Sequence, residues 1–334
     1  MKELIALFIA RNKEFFRDRS SLFWAIGMPP IIIAIMALAF SNSGQTLFKI
    51  GVVNLSETEA PSLLQEKYVQ KLPYESIDIA INRVRHHQLD LLLAKSEEGV
   101  LNYWINETST NGHLMETLLL QSPNLNWQRQ AVTGRQVRYI DWVIPGILSM
   151  NILFGGLFGI GYVIVRYRKN GVLKRLQATP VKPWQFLTAQ IASRLLIMLA
   201  VSVLVYASAD LFLDFLMLGS YWHLLLVAIL GIAAILSIAL LVASRFSSEE
   251  FVNGLLNLIS FPMLLLSELW FSLDGSPAWL NALAQALPLT QVVGAARAIM
   301  IEGAGLAEIS QHLWYLVVIT LVCTATAAKL FRWR

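Results

Sequence analysis

WVIPGILSMNILFGGLFGIGYVIV (Trp142–Val165), followed at once by RYRKNGVLKRLQATPVK (Arg166–Lys182), decides the fold of this chain. The first stretch is 24 residues without a charge. A bilayer is crossed by ~20 apolar residues rising ~1.5 Å each. The second stretch holds six Lys/Arg and no Asp or Glu, which by the positive-inside rule puts it in the cytoplasm. Charge alone fixes only the side of the membrane. The loop, however, also has architecture. Gly171 suits a left-handed helix cap, and Val172, Leu173 and Leu176 form one apolar edge of a short helix whose other side carries Lys174 and Arg175. Pro180 and Pro183 stop it. A short helix held by a turn at each end transmits displacement, whereas a floppy linker absorbs it. An orientation signal and a grip on a cytosolic partner are both open at this point.

The bulk numbers agree with lipid as the main solvent. The chain has 334 residues, 56% hydrophobic and 14% charged, with mean hydropathy +0.57; soluble domains carry about 25% charged residues. The net charge of +4 comes from cations beside apolar runs, so it implies no nucleic-acid partner. Cys323 is the only cysteine, which excludes an intrachain disulfide. Ala37-Leu38-Ala39 resembles a signal-peptidase site. The apolar core Leu22–Phe40 has 19 residues, against about 7–15 in a signal peptide, and favours an uncleaved first span.

Residues 1–19 read as an interfacial helix: Leu4, Phe8 and Phe15 share one face and Lys2, Lys13 and Arg17 the other, with Arg11 breaking the apolar stripe. The first span, residues 20–41, contains Pro29-Pro30 and should kink there. Residues 42–138 change character, with ten Asp/Glu and nine Lys/Arg between Lys49 and Arg138. Strands are predicted at 48–53, 90–94 and 99–105, and helices at 62–70, 77–88 and 113–135, the last leading back to the membrane. That makes a small α/β domain on the extracytoplasmic side. Residues 139–334 supply five further spans near 142–165, 186–209, 224–244, 251–267 and 313–328. A re-entrant hairpin at 268–290, broken by Asp274-Gly275-Ser276-Pro277, comes before the last. The fold class is therefore an α-helical membrane protein with six spans and both termini cytoplasmic. The cations at 11–19, 166–182, 245 and 329–334 then all fall on one side.

Little points to catalysis. There is no phosphate loop and no glycine-rich dinucleotide fingerprint, and no His/Cys/Glu set with metal-ligand spacing; His86-His87 with Asp90 comes nearest. No metal or catalytic residue and no cofactor is expected in this chain. Asn106-Glu107-Thr108 is a formal glycosylation sequon. Glu268, Asp274 and Arg297 near the outer end should neutralise one another, and Asp210 and Asp214 read as solvated carboxylates at the interface.

Three separated motifs carry a family resemblance: Asp141-Trp142-Val143-Ile144-Pro145-Gly146; Val165 to Leu176 with Ala178-Thr179-Pro180; and Ser276-Pro277-Ala278-Trp279-Leu280 followed by Leu287-Pro288-Leu289-Thr290 and Arg297. In this order they resemble type-2 ABC exporter permeases over nearly the whole chain except residues 42–138. That insertion resembles the external domain of the drug-exporter-like branch. The resemblance implies a half-transporter in which two permease copies, or one with a close homologue, pair with two cytosolic ATPase subunits that hold ATP and Mg. It makes the loop 166–183 a coupling helix seated on the ATPase, with Arg166, Arg168, Lys169, Gly171, Leu173, Lys174, Arg175, Leu176, Thr179 and Pro180 as its working residues. The chain departs from the family at Tyr167 and Lys169, where many members carry Glu.

The resemblance also places the second and fifth spans at a central cavity. Asn151, Phe154, Phe158 and Tyr162 share one face of the second span, beside Gly155-x-x-x-Gly159, which permits close helix approach. Asn253, Asn257 and Ser260, with Phe261, form a polar stripe on the fifth. These eight residues are the candidate substrate path, and ordinary bundle packing is the competing reading. The function implied is the membrane subunit of an ATP-driven exporter in a bacterial inner membrane, moving an apolar or amphipathic drug, lipid or metabolite. Two alternatives stay open: a mechanical complex acting on periplasmic partners or an adaptor, and a secondary transporter working without ATP. The latter expects paired intramembrane charges, where the spans offer only Arg194 and acids at helix ends.

Overall fold

The computed structural model describes residues 2–40, 48–55, 64, 68–74, 76–95, 100–121, 127–134, 137–246, 248–270, 273 and 276–331. The chain divides into two units, Met1–Phe40 with Tyr139–Arg334, and Ser41–Arg138.

Among the described residues of the first unit, five helices are long and apolar enough to cross a bilayer: α6 (Tyr139–Lys169), α8 (Pro183–Leu213), α9 (Tyr221–Arg245), α10 (Glu249–Leu266) and α13 (Ser310–Leu330). α11 (Ala278–Gln285) and α12 (Pro288–Glu302) meet at 89° and would count as one broken span. The bend follows from sequence: Pro288 opens α12 and cannot continue α11. α12 runs on past the expected hairpin boundary at 290, because Leu289, Val292, Val293, Ala296, Ile299 and Met300 are buried along it. α9 is the centre of the bundle, packing against α6, α8, α10, α12 and α13. Its buried Ile232, Ile235, Leu236, Ala239 and Leu240 join the main core with Leu153, Leu157, Ile160 and Ile164 of α6.

The N-terminal segment is α1 (Lys2–Arg17), α2 (Arg19–Leu22), a π-helical turn (Phe23–Gly27) and α3 (Met28–Phe40). A proline kink is expected at Pro29-Pro30; what the structure shows just before them is this π turn. Pro29 and Pro30 lack the N–H groups that would bond the carbonyls one turn earlier, and widening the preceding turn relieves the crowding. The Met28 N–H bonds the carbonyl of Phe23. α1 lies along α8, with Phe15 buried and Ile5, Ile9 and Phe16 exposed. Arg11 sits on the packed side of α1 instead of interrupting an apolar contact.

The second unit is a five-stranded sheet, ordered β2-β1-β3-β4-β5, from β1 (Phe48–Val53), β2 (Val69–Pro73), β3 (Leu91–Lys95), β4 (Leu101–Asn106) and β5 (Trp127–Val132). Among the described strands, β3–β4 pair antiparallel and the other three pairings are parallel. α4 (Ile77–Arg85) covers one face through Ala80 and Val84; α5 (Thr110–Leu120) covers the other through Met115 and Leu119. Strands buried on both faces read as continuous apolar runs, which is why Leu91-Leu92-Leu93-Ala94 is wholly buried.

Two helix expectations are corrected here. Residues 113–135 are not one helix: α5 ends at Leu120 and Trp127–Val132 is a strand. Of the helix expected at 62–70, Val69 and Gln70 belong to β2, while residues 62, 63 and 65–67 lie outside the described residues. Both missed strands are edges with mostly exposed residues, so neither carries an apolar signature. Asn106 is fully buried. Its amide donates to the carbonyls of Arg85 (2.7 Å) and Gly134 (3.2 Å) and its oxygen accepts from Thr108 N (3.0 Å), so the sequon serves the fold. His87 faces the Thr108 hydroxyl at 3.1 Å and Asp90 accepts from Lys49 N at 2.8 Å, which gives these two other partners.

Candidate functional site

The basic loop is built as its spacing suggests. α6 ends at Lys169, the Gly171 N–H returns to the Arg168 carbonyl at 3.2 Å, and Gly171 adopts φ +69°. Nothing crowds Gly171, so glycine is required there by conformation and not by space. α7 (Val172–Gln177) follows. Leu173 is fully buried in the main core, with Leu176 partly buried against it. The Thr179 hydroxyl donates to the Leu176 carbonyl at 2.6 Å and closes the helix. Pro180 is exposed, while Pro183 is the first residue of α8. Lys174 and Arg175 are exposed. Arg175 donates to the Asn170 carbonyl at 3.3 Å, and Lys174 has no partner among the described residues.

The cations at the end of α6 are spent within the chain. Glu14 of α1 accepts from Arg166 at 2.6 Å and from the Tyr167 hydroxyl, and pairs with Arg11 at 2.9 Å. Burial raises the Glu14 carboxyl, but the Tyr167 hydrogen bond and the Arg11 and Arg166 charges outweigh it and hold the group below the ordinary carboxylate range. Arg168 is buried and caps α9, donating to the carbonyls of Ala243 (3.2 Å), Ser244 (3.4 Å) and Phe246. A cation there also meets the negative end of the helix dipole. Lys169 pairs with Glu249, in the first turn of α10, at 2.9 Å. The departure at Tyr167 and Lys169 thus has a reason in this chain: each meets an acid of its own protein, Glu14 or Glu249. Of the six basic residues, Lys174, Arg175 and Lys182 are left facing outward.

Above the loop, a cavity of about 690 Å³ is lined by α1, the π turn, α3, α6 and α8. All four stripe residues of α6 line it: Asn151, Phe154, Phe158 and Tyr162. The Phe154 and Phe158 rings stack at 6.1 Å. Asn151 donates to the Ala25 carbonyl at 3.4 Å, the group Pro29 leaves without an intrahelical donor. Gly155 and Gly159 make room for side chains of α8 rather than for a second backbone. A Cβ at Gly155 would lie 2.4 Å from Met198, and one at Gly159 2.1 Å from Arg194 Nε. Arg194 donates to the Gly155 carbonyl through Nε (2.9 Å) and Nη2 (2.6 Å), and Arg11 to the Gly159 carbonyl at 3.2 Å. Sequence reasoning saw the glycines and Arg194 separately. That each lies roughly two to three turns from the basic loop was the available signal.

The α10 stripe does not join this cavity. Asn257 donates to the Asn253 carbonyl at 2.9 Å and Ser260 to that of Asn257 at 3.1 Å, so the stripe is largely satisfied within its own helix. Asn253 and Phe261 are exposed. Within one chain the two halves of the expected path stay apart.

A second polar cluster joins two of the three separated motifs. The Arg297 guanidinium lies 3.6 Å from the Trp142 ring centroid, donates to the Trp142 carbonyl at 3.2 Å, and pairs with Glu268 at 3.4 Å. Asp141 accepts from Leu216 N at 3.0 Å, and Thr290 bonds Ser267 at 3.0 Å. Glu268 and Arg297 therefore do neutralise each other; Asp274 lies outside the described residues. A family profile described as ABC-2 family transporter protein matches residues 19–329. The chain belongs to the ABC-2 transporter family. No curated protein matches it. An ABC-2 permease is a multi-pass membrane subunit, not itself a catalyst, and implies an ATPase partner in an ABC transporter. In this ABC-2 permease, Arg297 brings the motif at 141–146 to the one at 287–297.

Proposed function

We propose that this chain is the membrane-spanning half of an exporter with six spans, both termini cytoplasmic in a bacterial inner membrane and residues 42–138 outside. Two permease copies, or one with a close homologue, form the path, and a separate ATPase holds ATP and Mg. The observation that carries the reading is the split within the basic loop. Leu173 anchors α7 in the core while Lys174 and Arg175 face outward. An orientation signal needs no buried anchor. A lever needs both an anchor and a free gripping face. ATP turnover would pull on α7, and Arg166 and Arg168 would pass the load to α1 and α9.

The exposed face of α10, with Asn253, Leu258, Phe261 and Leu265, suits contact with the second permease better than contact with lipid: Asn253 accepts from Asn257, but its side-chain N–H groups have no acceptor among the described residues, and an intramembrane donor needs a partner or a wet cavity. An apolar or amphipathic cargo suits the phenylalanine pair. Reversing Lys174 and Arg175 to Glu tests the reading. Binding of the ATPase should weaken by about tenfold or more (1.4 kcal/mol per decade) while the purified permease keeps its melting temperature. Unchanged assembly and export would return the loop to a topology signal. The folded external sheet favours one alternative, a mechanical complex acting on periplasmic partners or an adaptor. That reading gains if the assembled complex hydrolyses ATP at a rate no cargo alters.

A further inference from the structure

Arg194 is 8% exposed, within the bilayer-length helix α8, and lines the cavity. Nε and Nη2 both go to a single carbonyl, that of Gly155. The Phe15 ring lies 5.3 Å from its Cζ. Among the described residues no carboxylate pairs with it and Nη1 has no acceptor, although a guanidinium offers five N–H donors. The other two arginines of the lining, Arg11 and Arg166, already share Glu14. With Asp18 included, the lining carries three cations and two acids, a surplus of one positive charge.

A buried cation without a counter-charge is costly, and inside a membrane such a group marks a functional site by default. Gly159 leaves the space this guanidinium fills and the Gly155 carbonyl accepts two of its N–H groups, so the fold builds the position rather than tolerating it. Beyond Arg194 the lining turns apolar, through Phe154, Phe158, Met28, Pro29 and Ile32. The volume of about 690 Å³ falls in the range of about 300–1,000 Å³ typical of small-molecule sites.

We propose that this cavity binds an amphiphile with an anionic headgroup, a carboxylate or a phosphate, held by Arg194 Nη1, its tail lying along Phe154 and Phe158. A planar guanidinium suits either headgroup. The proposal rests on the exporter reading in one respect only: it names the class of cargo.

The test is photolabelling of the purified full-length chain in phosphatidylcholine nanodiscs. The probes are a palmitic acid analogue with a diazirine on its chain, the methyl ester of that analogue, and phosphatidylglycerol carrying the same diazirine. The acid should label the segment containing Phe154 and Phe158 about tenfold more than the ester, the ratio of one charge-assisted contact. Arg194→Gln should lose that excess and Arg194→Lys should keep part of it. Labelling by the acid alone supports a free amphiphile as the ligand; labelling by phosphatidylglycerol as well supports a lipid headgroup. Equal labelling by acid and ester overturns the proposal without any variant, so it stays decidable if Arg194→Gln fails to fold. An undiminished signal in a folded Gln variant overturns it too. Labelling needs no ATP. A labelled site in a complex whose ATP turnover ignores amphiphiles would sink the exporter reading and leave the site standing; amphiphile-driven turnover without labelling would do the reverse.

Discussion

One added methyl group separates the roles of the glycines in this chain. At Gly159 it would sit 2.1 Å from Arg194 Nε, so the guanidinium must leave its pocket and give up both bonds to the Gly155 carbonyl. Charge-assisted hydrogen bonds contribute about 1.5–3 kcal/mol each, and bonds sharing one acceptor count less than their sum. Gly159→Ala should therefore lower unfolding stability by roughly 2–4 kcal/mol in a detergent thermal melt. Gly254→Ala, in open space on α10, should leave it unchanged or raise it slightly, since alanine is favoured by about 1 kcal/mol in a helix. Glu14 makes a second prediction at this scale. Its folded carboxyl is held below its unfolded value, so its contribution is complete above the ordinary carboxylate range and is lost as pH falls through the lower folded value. Glu14→Gln should melt below wild type at neutral pH, and the gap should close on acidification. A constant gap across that window would mean that the charge of Glu14 plays no part in the contact.

The elements differ in how plainly the sequence announces them. The long apolar helices were legible because a bilayer demands length and apolarity together, and β1, β3 and β4 because their buried faces select branched and aromatic side chains. β2 and β5 were not legible: VQKLP and WQRQAV are edge strands whose pairing partners lie on other strands. The coupling candidate was legible as a helix between turns, but not in its division of labour. Nothing local to Arg166 or Arg168 says that Glu14 or the end of α9 is waiting for it. That division predicts opposite outcomes within one loop. Leu173→Ala removes a fully buried side chain and should cost about 2–5 kcal/mol, read as a lower melting temperature with or without the ATPase. Reversal at Lys174 and Arg175 should be silent in the same melt. Arg168→Ala should resemble Leu173→Ala, since it strips the cap from α9.

Across the whole first unit, the polar contacts sort the helices into groups that move together and groups that can part. α1, α6 and α8 are tied by Glu14 to Arg166, by Arg11 to Gly159 and by Arg194 to Gly155, all of them partly or fully buried. Among the described residues, the polar tie from this group to α10 is the exposed pair Lys169–Glu249, and exposed pairs contribute only about 0–1 kcal/mol. A pull on α7 should then move α1, α6 and α8 as one body and let α10 separate from them. This can be measured in the assembled complex with Cys323→Ser as background, using a short bifunctional thiol crosslinker. Joining Glu14→Cys to Arg166→Cys restrains helices already tied, and cargo-stimulated ATP turnover should stay within about twofold of the uncrosslinked protein. Joining Lys169→Cys to Glu249→Cys restrains the weak seam, and turnover should fall about tenfold or more, the cost of about 1.4 kcal/mol in a barrier. Should the first crosslink stop turnover and the second spare it, the moving seam would lie at α1, and the cavity beside Arg194 would have to open and close during each cycle.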